Sequence, residues 1–442
     1  MTRAPVLFDQ VEEKLVALGR DRREVLQFLG RVVCIRDLYG RVRFLLDRRP
    51  TDEAHRKAVE ELERAACEVL GPRAYPPGSA VLCVDELAVD LGGDPLAGRC
   101  LDEGPPRLEL LDRQVTGRQW ARVQRISPPT HPPRLAFFSF KGGVGRSTAG
   151  AVLAWHLARQ GKRVLVLDLD LESPGLSSAL LPPGRAPELG VVDWFVEDAV
   201  GQGDYVLDRM LSRTPLADTL AGDIWLAPAC GARPRNYLAK LGRCFLDLPP
   251  ADDARFLPWF ERLGQLVHQL EKRQKPDVVI LDARAGLSDL ASVVLTDLDA
   301  EVFLFALDTE ATWAGYAILF DHWKETQAVN ALRERLSIVA ALVPETERSD
   351  YLERFREPSW DLFREYTYDE IVPEKEDTSS WGAFTFDLQD QAAPHWPLVI
   401  YWNRGFASLG DLCSLEPTLV EAAFGAYLRA MDERLFLTGE EG

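Results

Sequence analysis

At 442 residues, 46% of them hydrophobic, the chain can build two or three separately cored domains and is too apolar to remain disordered. Its longest apolar runs, such as 135–140 and 278–281, fall far short of the roughly 20 residues that cross a bilayer, and residues 1–30 open with charges where a secretory leader has an apolar stretch. The seven cysteines (34, 67, 83, 100, 230, 244 and 413) include no Cys-x-x-Cys, so reduced, mostly buried thiols in the cytoplasm are expected, without a metal or iron-sulfur role. The net charge of −18 lies wholly downstream: residues 1–133 hold 21 basic and 21 acidic side chains, and residues 134–442 hold 30 and 48. Such a field repels phosphate backbones and anionic lipid, which argues against nucleic acid and membrane as partners.

Residues 1–125 are predicted to form a small α+β domain. Helical periodicity over 8–29 and 52–70 alternates with strand-like runs at 31–35, 42–46, 81–84 and 108–111. The adjacent Asp85 and Glu86 read as a solvated turn, and no catalytic constellation stands out, so the expected role is contact with a protein partner. Residues 126–133 place four prolines in eight positions and read as a semi-rigid linker.

From 134 to 442 the pattern changes to apolar strands alternating with helices, the signature of a mostly parallel α/β sheet with helices on both faces. Strands are predicted at 135–140, 163–168, 224–227, 277–282, 301–307 and 337–343, with helices at 148–160, 254–274 and 313–327. Residues 345–396 turn acidic and aromatic with weak periodicity and are expected to be an insertion or lid, a second candidate partner surface. One more strand is predicted at 397–402. Leu419, Ala423, Tyr427, Met431 and Leu435 then share one stripe of an amphipathic C-terminal helix, a stripe that suits core packing.

Chemistry concentrates where these strands end. Residues 141–148 read Lys-Gly-Gly-Val-Gly-Arg-Ser-Thr between a strand and a helix. Gly142, Gly143 and Gly145, with Val144 among them, leave backbone free to wrap a phosphate. The helix that begins at Ser147 and Thr148 adds positive potential there, and the Ser147 hydroxyl is placed to ligate magnesium. Asp168 and Asp170 close the second strand, Asp168 to support a magnesium shell and Asp170 to orient an attacking water. Asp282 closes another strand, where it can hold a magnesium-bound water, and Gly286 can reach a terminal phosphate through its amide. That loop is switch-like: it orders on a triphosphate and relaxes after hydrolysis. Arg284 can pair with phosphate, with Asp170 or within an ordinary surface ion pair. The cluster Arg233, Arg235, Lys240 and Arg243 is the best local patch for nucleic acid, and such a cluster also suits a solvated face.

Together, Lys141 to Gly145, Asp168 to Asp170 and Asp282 to Gly286 resemble the MinD/ParA class of deviant Walker A P-loop ATPases, over residues 135–345 and in the order of that class. The fuller strings resemble a bacterial branch with arginine in the P-loop, predicted in conflict or defence systems. The resemblance implies ATP and Mg2+ as ligands and an ATP-dependent homodimer, in which Lys141 reaches the partner's phosphates and acts in catalysis with Asp170 and Arg146. Two departures stand out. Arg146 occupies the place of the main P-loop lysine, and its planar fork need not track a moving phosphate as an ammonium does. Phe140 replaces the first glycine of the strict Walker pattern. A magnesium-dependent switch ATPase is therefore expected, with a nucleotide-binding scaffold or sensor of little hydrolysis as the alternative.

Overall fold

The computed structural model describes residues 5–84, 99–102, 108–114, 116–124, 130–182, 184–232, 234–249, 256–370, 383–407, 412 and 415–436. Asp85, Glu86, Arg233, Cys413, residues 126–129 of the proline-rich stretch and residues 371–382 of the acidic stretch lie outside them. Two units emerge, Met1–Thr116 and Gly117–Gly442. The division precedes the boundary expected at 125 because residues 117–124 are bound into the larger unit. Trp120 is buried there, its ring 6.1 Å from Phe138 and 6.3 Å from Trp323. Burying an indole outweighs the loop signal of the nearby prolines.

The smaller unit is a five-stranded sheet of β1 (Val32–Arg36), β2 (Val42–Leu46), β3 (Val81–Cys83), β4 (Arg99–Asp102) and β5 (Leu108–Asp112), ordered β3-β2-β1-β5-β4. The β1–β2 hairpin turns on Asp37, whose carboxylate accepts the Tyr39 and Arg41 amides at 2.9 Å, while Gly40 takes a φ of 74°. The helix Glu53–Leu70 starts at Asp52, which accepts the His55 amide at 2.8 Å. Its Leu62, Ala65, Ala66 and Leu70 form a buried stripe against Phe44, Leu15 and Leu26. This is the α+β unit the periodicity implies.

The larger unit holds β6 (Arg134–Ser139), β7 (Arg163–Leu169), β8 (Ser212–Arg213), β9 (Asp223–Ala227), β10 (Val278–Ala283), β11 (Glu301–Ala306), β12 (Leu336–Val343) and β13 (Leu398–Tyr401). They form one sheet ordered β13-β12-β11-β6-β10-β7-β9-β8, parallel apart from the β8–β9 pair at one edge. Both faces are covered, so strand side chains alternate between two cores. Phe137, Val164 and Val166 pack with the helices Arg146–Arg159 and Pro417–Phe436, whereas Phe138, Leu165 and Leu167 pack with Trp194, Leu263, Val293 and Trp323. Truncating a fully buried Phe137 to Ala is worth about 3–5 kcal/mol. Ala423, Tyr427 and Met431 of the last helix are buried, as core packing requires.

The stretch 345–396 differs in part from its sequence reading. Its first portion is the regular helix Arg348–Tyr366, with Phe355, Ser359, Leu362 and Phe363 buried at helical spacing. Pro358 within it and the surrounding charges mask that period. Trp313 of the helix Glu310–Glu325 stacks edge-on against Phe355 at 5.0 Å, which joins this helix to the core of the unit.

Candidate nucleotide site

Sheet order alone fixes where a ligand fits. From β6 the chain crosses to β7 on one side and later returns to β11 on the other, so the carboxyl end of β6 is a topological switch point. Residues 140–145 leave that point and enter the helix Arg146–Arg159. Gly143 and Gly145 take φ values of 79° and 80°, conformations that strain any side-chain-bearing residue. A Cβ placed on Gly142 or Gly143 meets nothing within 4 Å, so the loop is an open cradle. Val144 anchors it by burying in the Phe137 core. The first amides of the helix have no intrahelical acceptor and carry the positive end of its dipole, which suits an anion in the cradle.

Beneath the loop the predicted residues converge. Asp168 and Asp282 are register partners on adjacent parallel strands, and both are buried. The Arg146 Nε donates to Asp282 Oδ1 at 3.1 Å and its Nη1 donates to the Ser139 hydroxyl at 2.9 Å, while the Ser147 hydroxyl donates to Asp282 Oδ2 at 2.6 Å. Ser139 in turn donates to the Lys141 carbonyl at 2.8 Å, and the Gly286 amide donates to the Ser139 carbonyl at 2.9 Å. Asp168 accepts the Ser177 amide at 2.9 Å and the Ser177 hydroxyl, fixing the loop beyond β7. Asp170 accepts the Ser173 amide at 3.0 Å. Lys141 is exposed on the lip of the loop, and Thr148 is half-buried in the first helical turn.

These carboxylates are desolvated. Burial, and then the neighbouring Asp282, push Asp168 up to about 7. Burial raises Asp282 as well, against the pull of Arg146 and Ser147, and it raises Asp170 against Ser173, Arg146 and Arg284. Carboxylates held close in a low-dielectric pocket gain most from a cation. Among the described residues no group of three or more His, Cys, Asp or Glu side chains is placed to hold a metal by itself. A hydroxyl and one or two carboxylates beside an open phosphate cradle instead fit magnesium, which takes few protein ligands and completes its shell with phosphate and water. The residues present therefore fit a magnesium nucleotide.

Residues 135–314 match a family described as the CobQ/CobB/MinD/ParA nucleotide binding domain. Over these residues the chain is similar to that family. The matched span contains the glycine loop, Asp168, Asp282 and Gly286 described above. Two curated relatives set the scale of similarity. The iron-sulfur cluster carrier protein of Pseudomonas fragi is 28% identical over 160 residues, 35% of this chain and 53% of that protein. The septum site-determining protein MinD of Escherichia coli K12 is 36% identical over 104 residues, 24% of this chain and 34% of MinD. The chain thus spans about half or less of these relatives. Among solved structures, MinD complexed with Mg-ADP from Pyrococcus horikoshii OT3 is 20% identical, covers 70% of this chain and 99% of its own, and has a TM-score of 0.41. The pNOB8 ParA bound to nonspecific DNA is 13% identical over 70% of this chain and 99% of its own, with a TM-score of 0.40.

Sequence reasoning missed two features around this site, the contact of Phe140 with Gly315 and the role of Ser177, and left the pairing of Arg284 open between phosphate, Asp170 and a surface ion pair. Phe140 lies against Gly315, where a Cβ would come within 2.6 Å of the ring, and stacks on Tyr316 at 5.1 Å. The side chain that departs from the strict Walker pattern is thereby docked in a notch of the helix Glu310–Glu325. Arg284 pairs with Glu172, joining the loops that follow β7 and β10. Ser177, the partner of Asp168, carried no signal beyond its place nine residues downstream. In the basic cluster, Lys240 is paired with Asp193, and the exposed Arg243 donates one guanidinium N–H to the Ala239 carbonyl of its own helix.

Proposed function

We propose that the chain is a magnesium-dependent ATPase that dimerises on ATP and signals its nucleotide state to a protein partner. The observation that carries this reading is the convergence of Arg146, Ser147 and Asp282, at 3.1 and 2.6 Å, beneath an open glycine cradle. Ser147 and Asp282 are the groups to hold magnesium, with Asp168 supporting them from the neighbouring strand. Bound magnesium would supply charge neutralisation at the transferring phosphoryl group. Gly142, Gly143, Gly145 and Thr148 offer backbone amides to the phosphates, and Arg146 offers a cation. Asp170 orients the water that attacks the terminal phosphorus, displacing ADP and releasing inorganic phosphate. The Gly286 amide leaves the Ser139 carbonyl to sense that phosphate. Exposed Lys141 reaches across a two-fold axis, so that dimerisation and charge stabilisation are coupled.

ATP hydrolysis by wild type and by Asp170→Ala tests the reading. Wild-type turnover exceeding the variant by about 100-fold supports it, and equal rates sink it. A second reading, a nucleotide-binding scaffold without hydrolysis, is favoured by the engagement of Arg146 with Asp282 and Ser139. In that case Arg146→Lys gains turnover while binding is unchanged.

The proposed function leaves out the iron-sulfur carriage named for one relative, since the sequence holds no Cys-x-x-Cys. The net charge of −18 disfavours DNA, and a mobility shift at low salt would overturn that assignment. No helix among the described residues is long and apolar enough to cross a membrane. We place the switch in the cytoplasm, where ATP is supplied, and in bacterial conflict or defence, on the strength of the arginine-bearing P-loop. Phage challenge of cells carrying wild type or Asp170→Ala tests the latter, with equal survival as the outcome against it.

A further inference from the structure

The helix Asp289–Thr296 begins three residues after Gly286 and is capped by Ser288, whose hydroxyl accepts the Ala291 amide at 3.2 Å. Ser288 itself donates its amide to the Gly286 carbonyl at 2.9 Å, so the helix and the switch glycine share one hydrogen-bonded turn. Both ends of this helix are fastened to residues 117–124. At its start the Asp289 carboxylate accepts the Gly117 amide. At its end the buried Thr296 accepts the Gln124 amide on its own carbonyl at 2.9 Å, and its hydroxyl, shared between two carbonyls, lies 2.8 Å from that of Ser292 and 3.2 Å from that of Gln119. Arg122 adds an ion pair to the buried Asp297 at 3.5 Å and lies over the Phe260 ring at 4.6 Å. These polar contacts tie residues 117–124 to both ends of the helix.

We propose that Asp289 and Thr296 are positioning residues that carry the nucleotide state of the Asp282–Gly286 loop into residues 117–124, the stretch by which the chain leaves its smaller unit. Any shift of Gly286 toward a terminal phosphate turns the Ser288 cap, and the capped helix takes Gly117 and Gln124 with it. Movement is thereby converted from a loop, which dissipates displacement, to a helix, which transmits it. The device rests on the nucleotide-site reading above and adds a route by which that site is felt elsewhere. Neither Asp289 nor Thr296 touches the nucleotide.

Hydrogen exchange of the full chain, with and without magnesium and adenylyl imidodiphosphate, tests this coupling beside a fluorescent ATP-analogue titration. In wild type, exchange over 117–124 changes about fivefold on nucleotide addition. In Asp289→Ala, nucleotide binding and the response of 286–288 persist while the response of 117–124 falls below about twofold. Asp289→Asn, which keeps an acceptor, restores it. Thr296→Val removes only the hydroxyl at the far end and weakens the response in a chain whose burial is unchanged, which covers the case of an unfolded Asp289→Ala. Nucleotide binding with a silent 117–124, or an Asp289→Ala chain that responds like wild type, overturns the coupling. Absence of binding by wild type overturns the site reading itself.

Discussion

Arg146 and Asp282 form a buried ion pair at 3.1 Å, and the same carboxylate accepts the Ser147 hydroxyl at 2.6 Å. The cation of the P-loop therefore neutralises the carboxylate assigned to magnesium. Removing one member of a buried pair leaves the other charge stranded. Arg146→Met is expected to destabilise the ligand-free chain by about 3 kcal/mol in denaturant titration, and adding Asp282→Asn to the same chain should recover most of that loss. A single variant as stable as wild type would show that the pair does not operate in solution.

Gly315 is the notch that holds Phe140. In Gly315→Ala the new methyl starts 2.6 Å from the Phe140 ring, so the ring must leave, at a cost of about 1–3 kcal/mol. The start of the P-loop moves with it, and weaker ATP-analogue binding should accompany the stability loss. Gly315→Ala combined with Phe140→Leu should restore stability, because the smaller side chain makes room.

Lys141 is exposed on the lip of the loop, whereas Val144 and Arg146 are buried. In Lys141→Ala, binding of magnesium nucleotide by the single chain should stay at the wild-type level. The nucleotide-dependent rise in mass seen by light scattering, together with hydrolysis, should disappear. A variant that still dimerises on ATP would remove Lys141 from the interface.

Asp297 offers a pH signature away from the site. Burial lifts it to about 6 against the opposing pull of Arg122, from an unfolded value near 3.8. Because the folded chain holds this proton more tightly, the associated stability is complete below the unfolded value and is lost as pH rises through about 6. Asp297→Asn cannot lose that proton. Relative to the variant, wild type should therefore lose about 2 kcal/mol between pH 4 and pH 7. Parallel stability curves for the two chains would contradict the assignment.

The residues of the candidate site stand out in the sequence because phosphate binding would demand local chemistry: glycines where φ is positive, a helix start, and aspartates at strand ends. Strand positions in both units were legible for a related reason, since burial on one or two faces writes a period into the sequence. What escaped depends on distance along the chain. Gly315 matters only through Phe140, 175 positions earlier, and Asp289 matters only through Gly117. Neither carries a local mark that separates it from an ordinary helical glycine or first-turn acid. The unit boundary escaped for the opposite reason, in that the prolines of 126–133 are a strong local signal that the packing of Trp120 overrides. The helix Arg348–Tyr366 was hidden by Pro358 within an otherwise regular stripe.

The central place of β6 has a consequence for synthesis. Its neighbours are β10 and β11, which end at Ala283 and Ala306, so the strand that delivers the P-loop leaves the ribosome long before either partner exists. Until about 140 further residues have emerged, residues 134–139 have no neighbouring strand to join, and the cradle has neither Asp282 beneath it nor Gly286 beside it. The nascent chain thus passes most of its elongation without a nucleotide site. On the proposed reading, ATP meets a receptor only after β10 and the loop that follows it have emerged.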